Sequence, residues 1–135
     1  MKGSAIAHIV YAGGIAWAIA LRYLVAPAKP LPADQLRILG PILVVVALAD
    51  YVVSLWLERK LLARWGWASE QAARQAPAVA LVITATFGVS IAIYGIVLWF
   101  LGAGAGWWGL FVGLACVHWV HSYLRWSRRE ESPVR

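Results

Sequence analysis

Long apolar runs separated by short polar segments dominate this chain. Three runs are long enough to cross a bilayer and a fourth is nearly long enough, since about 30 Å of hydrocarbon requires roughly 20 apolar residues in a helix. The runs cover residues 4–25, 38–57, 78–101 and 107–126. The pattern predicts an all-α fold: an integral membrane four-helix bundle, with residues 1–135 as a single domain.

The segments between the runs predict how the helices are joined. Three prolines within residues 26–37 predict an extended first link, after which the second helix starts near Ala33 or Pro41. The second run is expected to continue to about residue 66, because its leucines line one face of a basic segment, as in an interfacial helix. Alternating glycine and alanine over residues 102–106 predict a tight turn, so the last two helices form a hairpin.

Composition agrees with a membrane protein. Hydrophobic residues make up 62% of the chain, charged residues 13%, and the mean hydropathy is +0.72. A soluble protein of this size with so few charged residues would expose large apolar patches. The net charge of +6 does not indicate nucleic-acid binding, because the basic residues gather at the helix ends, where a membrane surface explains them. The single Cys116 excludes an internal disulfide.

The distribution of basic residues predicts the orientation. Nine lysines and arginines lie at the N-terminus, in the second link and in the C-terminal tail, against three in the first link and none in the third. Links rich in lysine and arginine stay in the cytoplasm. We therefore expect a multi-pass protein of the cell membrane with both termini cytoplasmic, an N-in/C-in arrangement.

The polar segment EQAARQAP, residues 70–77, precedes an apolar run that contains AIYGIVL, residues 92–98. This stretch, residues 70–101, resembles the polar loop and second helix of the c subunit of rotary ATP synthases. That family has an ion-binding carboxylate five residues before the tyrosine, where this chain has Val89, and a glycine-repeat first helix that is missing here. The resemblance therefore implies a packing hairpin without the ion-carrying group, as in an accessory or assembly component of a larger membrane complex.

Ionisable side chains inside the apolar runs are the strongest functional signal. Asp50 lies roughly 12 Å from the cytoplasmic end of the second run at 1.5 Å per residue. A carboxylate at such a depth is paired, protonated or functional. His8, His118 and His121 fall in the same half of the membrane, and the last two share a helix face. We expect these four side chains, from three helices, to converge.

Several chemistries are compatible with such a cluster. His8 opposite His118 or His121 would supply axial ligands to haem b. His118 and His121 with Asp50 would hold a divalent transition metal such as Zn²⁺ or Cu²⁺. The same residues would otherwise relay protons or bind a small cation, as in a transporter. In the simplest alternative, the histidines only reach the interface near helix ends.

No complete catalytic motif is present, and the serines lack a base with an orienting group, so no enzymatic activity is expected. The sequence favours a non-enzymatic membrane subunit, or an interaction or assembly module of a larger membrane complex. Its expected partners are the lipid bilayer and other membrane subunits or a second copy, without nucleic acid. A haem- or metal-binding membrane subunit and a small ion or proton transporter are the alternatives.

Overall fold

The computed structural model describes residues 3–26, 30–65 and 69–131. It contains four helices, numbered in chain order: α1 Gly3–Leu24, α2 Ala33–Trp65, α3 Glu70–Phe100 and α4 Ala105–Glu131. Helices account for nearly all of the described residues, which include no strand. The predicted all-α four-helix bundle is confirmed.

Three of the helices, α2, α3 and α4, are longer than the apolar runs that predict them. α2 begins at Ala33, directly after Pro32, whose carbonyl accepts the first hydrogen bonds of the helix, and it continues through Trp65. α3 begins at Glu70 rather than at residue 78. Hydropathy marks the part of a helix that suits hydrocarbon, whereas glutamate, lysine and arginine have good helix propensity and extend a helix beyond it. The polar segment that resembles a c-subunit loop is therefore helical here.

The helices pack unequally. α3 contacts all three other helices, and α4 lies against α3 and α1 and more lightly against α2. Within the described residues, α1 and α2 do not contact each other. Both helices therefore bury one side only, and the buried core lies around α3.

Three of the helices have the character of membrane spans. The stretches that are long and apolar enough are Ala5–Leu24, Ala33–Arg64 and Gln75–Phe100. Their outward faces expose large apolar side chains such as Trp17 and Val45, as contact with lipid requires. Among the described residues, α4 is long enough but has too low a mean hydropathy to count as a candidate span, because histidines and arginines interrupt its apolar positions. The chain therefore has the features of a membrane protein, and its fourth span stays a prediction.

A glycine turn closes one end of the bundle. At the end of α3, the N–H of Ala103 donates to the Leu98 carbonyl at 2.9 Å and that of Gly102 donates to the Trp99 carbonyl at 3.0 Å. This pair of bonds is a Schellman motif, which needs a left-handed residue, and Gly102 has φ +84°. Pro30 from the first link packs directly on Gly102. The end where these two links meet is termed the turn end.

The opposite end carries most of the exposed cations. They lie near the ends of α2 and α4: Arg59, Lys60, Arg64, Arg128 and Arg129. Trp126 of α4 packs there against Ala80 and Leu81 of α3. This is termed the basic end, and it holds the starts of α1 and α3 and the ends of α2 and α4.

Candidate functional site

A ladder of polar side chains joins α2 and α4 from the middle of the bundle to the basic end. The residues recur at positions i, i+3 and i+7 on each helix, which places them on one face. Five of them form what we term the polar core: Tyr11, Tyr51, Ser54, His118 and His121. Four others form what we term the arginine cap: Glu58, Thr84, Arg125 and Arg129.

His118 is the centre of the polar core. Its side chain is 1% exposed, and both of its ring nitrogens have hydroxyl partners. Nδ1 lies 2.6 Å from the Tyr11 hydroxyl and Nε2 lies 2.9 Å from the Ser54 hydroxyl. Tyr11 and Ser54 are themselves fully buried. His118 therefore joins α1 and α2 through hydrogen bonds on either side of its ring.

The hydrogen bonds around His118 can run in either direction. In one arrangement Tyr11 donates to Nδ1, the Nε2–H donates to Ser54, and Ser54 donates to the Tyr51 carbonyl at 2.8 Å. In the other, Ser54 donates to Nε2 and the Nδ1–H donates to the Tyr11 oxygen. Tyr11 then donates to the Ala115 carbonyl at 3.3 Å. Every donor has an acceptor in both cases, so both neutral tautomers of His118 are satisfied.

Tyr51 connects the two histidines of α4. Its hydroxyl is hydrogen-bonded to Nδ1 of His121. Its ring is edge-on to His118, with centroids 4.8 Å apart, and is stacked on His121 at 5.9 Å. The two histidines thus share one aromatic partner, which places His121 one step closer to the basic end.

Glu58 ends the ladder as a buried, ion-paired carboxylate. It is 0% exposed, and its Oε2 accepts hydrogen bonds from Arg125 and, at 3.3 Å, from the Thr84 hydroxyl. Nη1 of Arg129 lies 3.1 Å from Oε1. The arginines are 20% and 42% exposed, so they connect the buried carboxylate to the surface of the basic end.

A glycine in α3 makes room for the polar core. The ring and hydroxyl of Tyr11 occupy the space that a Cβ atom at Gly88 would need. No other residue type allows this approach, because a Cβ atom at this position would overlap the Tyr11 hydroxyl oxygen. One α3 position therefore determines whether the Tyr11–His118 hydrogen bond can form.

The remaining predicted site residues lie elsewhere. The Tyr94 hydroxyl donates to Oδ2 of Asp50 at 2.6 Å, which places this carboxyl against α3 instead of against the α4 histidines. The ring of His8 is edge-on to Tyr123 at 5.2 Å. The structure therefore places His118 and His121 against the same tyrosine, Tyr51, and gives Asp50 and His8 other neighbours.

These positions do not fit a preformed haem or metal centre. Ligation through His118 would require the loss of its hydrogen bond to Tyr11 or to Ser54. The described residues include no group of three or more histidine, cysteine, aspartate or glutamate side chains that could hold a metal ion. The donor set expected from the sequence is thus divided among separate contacts.

Comparison with protein-family models, curated proteins and solved structures finds no match for this chain. The resemblance of residues 70–101 to the c subunit therefore stands on those residues alone. In the structure, the Val89 side chain lies against Gly14 of α1.

Sequence reasoning missed part of the ladder. It assigned no functional role to Tyr51, Ser54 or Glu58. Their spacing on α2 matches that of His118 and His121 on α4, and this matched periodicity is the signal that could have identified them.

Proposed function

We propose that this protein is a membrane subunit that exchanges protons with one side of the bilayer through its polar core. The observation that carries the proposal is the pair of complete hydrogen-bond arrangements around His118. A proton relay must reverse the direction of its hydrogen bonds after each proton transfer. A buried series of hydrogen bonds can reverse at low free-energy cost only when neither direction leaves a donor unpaired. The hydrogen bonds around His118 meet that requirement.

The proposed path is one-sided. The buried polar side chains of the described residues are His8, Ser54, Glu58, Thr84, His118 and Ser122. From Arg129, at the surface of the basic end, to His118 is eleven residues, or roughly 16 Å along α4. Beyond His118 toward the turn end, the buried side chains are apolar, such as Ile15 and Phe111. One copy therefore supplies about half of a transmembrane path.

A half path supports a role within a larger membrane complex, because a second protein must supply the other half. The same reasoning gives the proposed location. Nine basic residues against three favour a cytoplasmic basic end, with both termini in the cytoplasm of a cell-membrane protein. Protons would then be exchanged with the cytoplasm.

The test is a one-sided pH jump on liposomes that contain the protein in a single orientation. Time-resolved infrared spectra of isotope-labelled histidine report the ring bands, and subtracting the His118→Gln spectrum isolates His118. We expect these bands to respond to a jump at the basic end and not to one at the turn end. His8→Gln, outside the polar core, is the matched control and should keep the response. No response from either side, or a response from the turn end, contradicts the proposal.

A second candidate function, ion carriage by Asp50, is favoured by one contact. Tyr94, the tyrosine of the c-subunit-like pattern, donates its hydrogen bond to this carboxyl, so α2 supplies an acid beside that tyrosine, although α3 itself carries Val89 in place of the family's carboxylate. If Asp50 carries a proton or Na⁺, the carboxyl band that disappears in Asp50→Asn should change with pH or Na⁺ concentration. A band that stays constant under both conditions argues against ion carriage.

A further inference from the structure

The Asp50–Tyr94 pair lies on the outer side of the α2–α3 contact. The neighbouring Tyr51 is directed to His121 of α4, whereas Val89 of α3 is directed to Gly14 of α1. Asp50 and Tyr94 remain partly exposed. The Tyr94 ring also packs against Phe111 of α4, with ring centroids 6.3 Å apart. Three exposed, β-branched side chains lie three or four residues from the pair along α2 and α3: Val46, Val53 and Val97. Together with Asp50 and Tyr94, these residues are termed the outer acid face.

A carboxylate at this position is costly in lipid. It lies roughly 12 Å from Glu58 along α2, within the hydrocarbon if α2 spans the membrane. Tyr94 supplies one hydrogen bond to Oδ2 but no positive charge. Carboxylates at such depth pair with cations or with polar groups inside a protein assembly. An ionised Asp50 on the outer acid face would therefore be stabilised by a cover that brings a positive charge.

The geometry points to a transmembrane helix of a different protein, which packs on the outer acid face and brings a lysine or arginine to Asp50. A second copy does not fit. Along α2, Arg37 is thirteen residues from Asp50 and Arg59 is nine, or roughly 20 and 14 Å. A copy in the same orientation would place Asp50 beside Asp50, with no cation at that depth. The flanking branched side chains provide the packing surface.

This inference rests on the part of the proposed function that places the chain in a larger complex. It does not depend on proton exchange. The polar core and the outer acid face also use different residues. The two proposals can therefore fail separately.

The test uses two synthetic transmembrane peptides in liposomes, one of polyleucine and one with a single central lysine in place of leucine. Energy transfer between a donor on the C-terminus of the protein and an acceptor on the peptide measures association. We expect the lysine peptide to associate about tenfold more tightly than the leucine peptide. Asp50→Asn should abolish that difference. Asp34→Asn, at the exposed start of the same helix, should leave it intact, and Tyr94→Phe should keep most of it because the carboxyl remains.

Three results would overturn the inference. One is equal binding of the two peptides to the wild-type protein. Another is that the Asp50→Asn variant still prefers the lysine peptide as strongly as the wild type does, while its helical content and monodispersity also match the wild type. The third is energy transfer between two labelled copies that depends on Asp50 without a preference for lysine, which would make the face a self-association surface. The infrared response of His118 is independent of all three.

Discussion

His118 is the residue on which the proposed proton exchange depends, because its two ring nitrogens face two different hydroxyl groups. An unpaired buried donor costs more than an unpaired acceptor on a ring nitrogen, so removing one hydroxyl should select one tautomer. Ser54→Ala should hold the proton on Nδ1, where Tyr11 can accept it. Tyr11→Phe should hold it on Nε2, where Ser54 can accept it.

Nitrogen-15 spectra of labelled histidine in nanodiscs distinguish these tautomers by chemical shift. The wild type should show both neutral tautomers of His118 in exchange, and each variant should show one. Ser90→Ala, a hydroxyl outside the polar core, is the matched control and should behave as the wild type. A single tautomer in the wild-type protein at all pH values would remove the basis for the relay.

Gly88 tests whether the polar core depends on close helix packing. A Cβ atom there would occupy the position of the Tyr11 hydroxyl, so Gly88→Ala should cost about 1–3 kcal/mol of stability as overpacking. It should also break the Tyr11–His118 hydrogen bond. Gly113→Ala on α4 is the matched control, because nothing lies within 4 Å of the added Cβ and alanine favours a helix. Thermal unfolding in detergent measures both variants, and equal stability would contradict the packing around Gly88.

At the scale of helices, the arginine cap adds ion pairs to the polar-core hydrogen bonds between α2 and α4, whose direct packing is light. Removing a partner from a buried ion pair is most harmful when it leaves a buried charge behind. Arg125→Ala leaves the buried Glu58 carboxylate with one positive partner instead of two, and it should lower the free energy of unfolding by about 3 kcal/mol. Glu58→Gln removes the buried charge and leaves partly exposed arginines, so it should cost about 2 kcal/mol.

Arg128→Ala, on the same helix but exposed, should change stability by no more than about 0.5 kcal/mol. Chemical denaturation in detergent gives the order of the three variants. If Arg125→Ala and Arg128→Ala prove equal, the ion pair does not stabilise the contact between α2 and α4.

The helices could be predicted from the sequence, whereas the partners of the site residues could not. Residue counting gives the positions of Asp50, His118 and His121 along their helices. Rotation about the helix axis does not follow from it. One residue turns an α-helix by about 100°, which directs Tyr51 to α4 and Asp50 to α3. Both neighbours of α2, the helices α3 and α4, are apolar. A single sequence therefore gives no signal that fixes which side of α2 faces which of them.

At the scale of the whole molecule, both the helix packing and the distribution of charged residues are asymmetric. α3 is covered on three sides, whereas α1 and α2 expose much of their surface to lipid or to partners. The polar ladder opens toward the end that carries most of the exposed cations. A one-sided path and an uncovered acidic face are what the proposed role within an assembly requires.

The orientation and the fourth span can be tested together, because α4 is the one helix whose composition leaves its crossing open. A reporter that works only outside the cytoplasm should be active when fused after Gly104, in the turn between α3 and α4, and inactive after Arg135. A reporter that fluoresces only in the cytoplasm should show the reverse. Opposite results at the two positions require α4 to cross the membrane. The same result at both would mean that α4 lies on the surface, and its histidines could not then form the end of a transmembrane path.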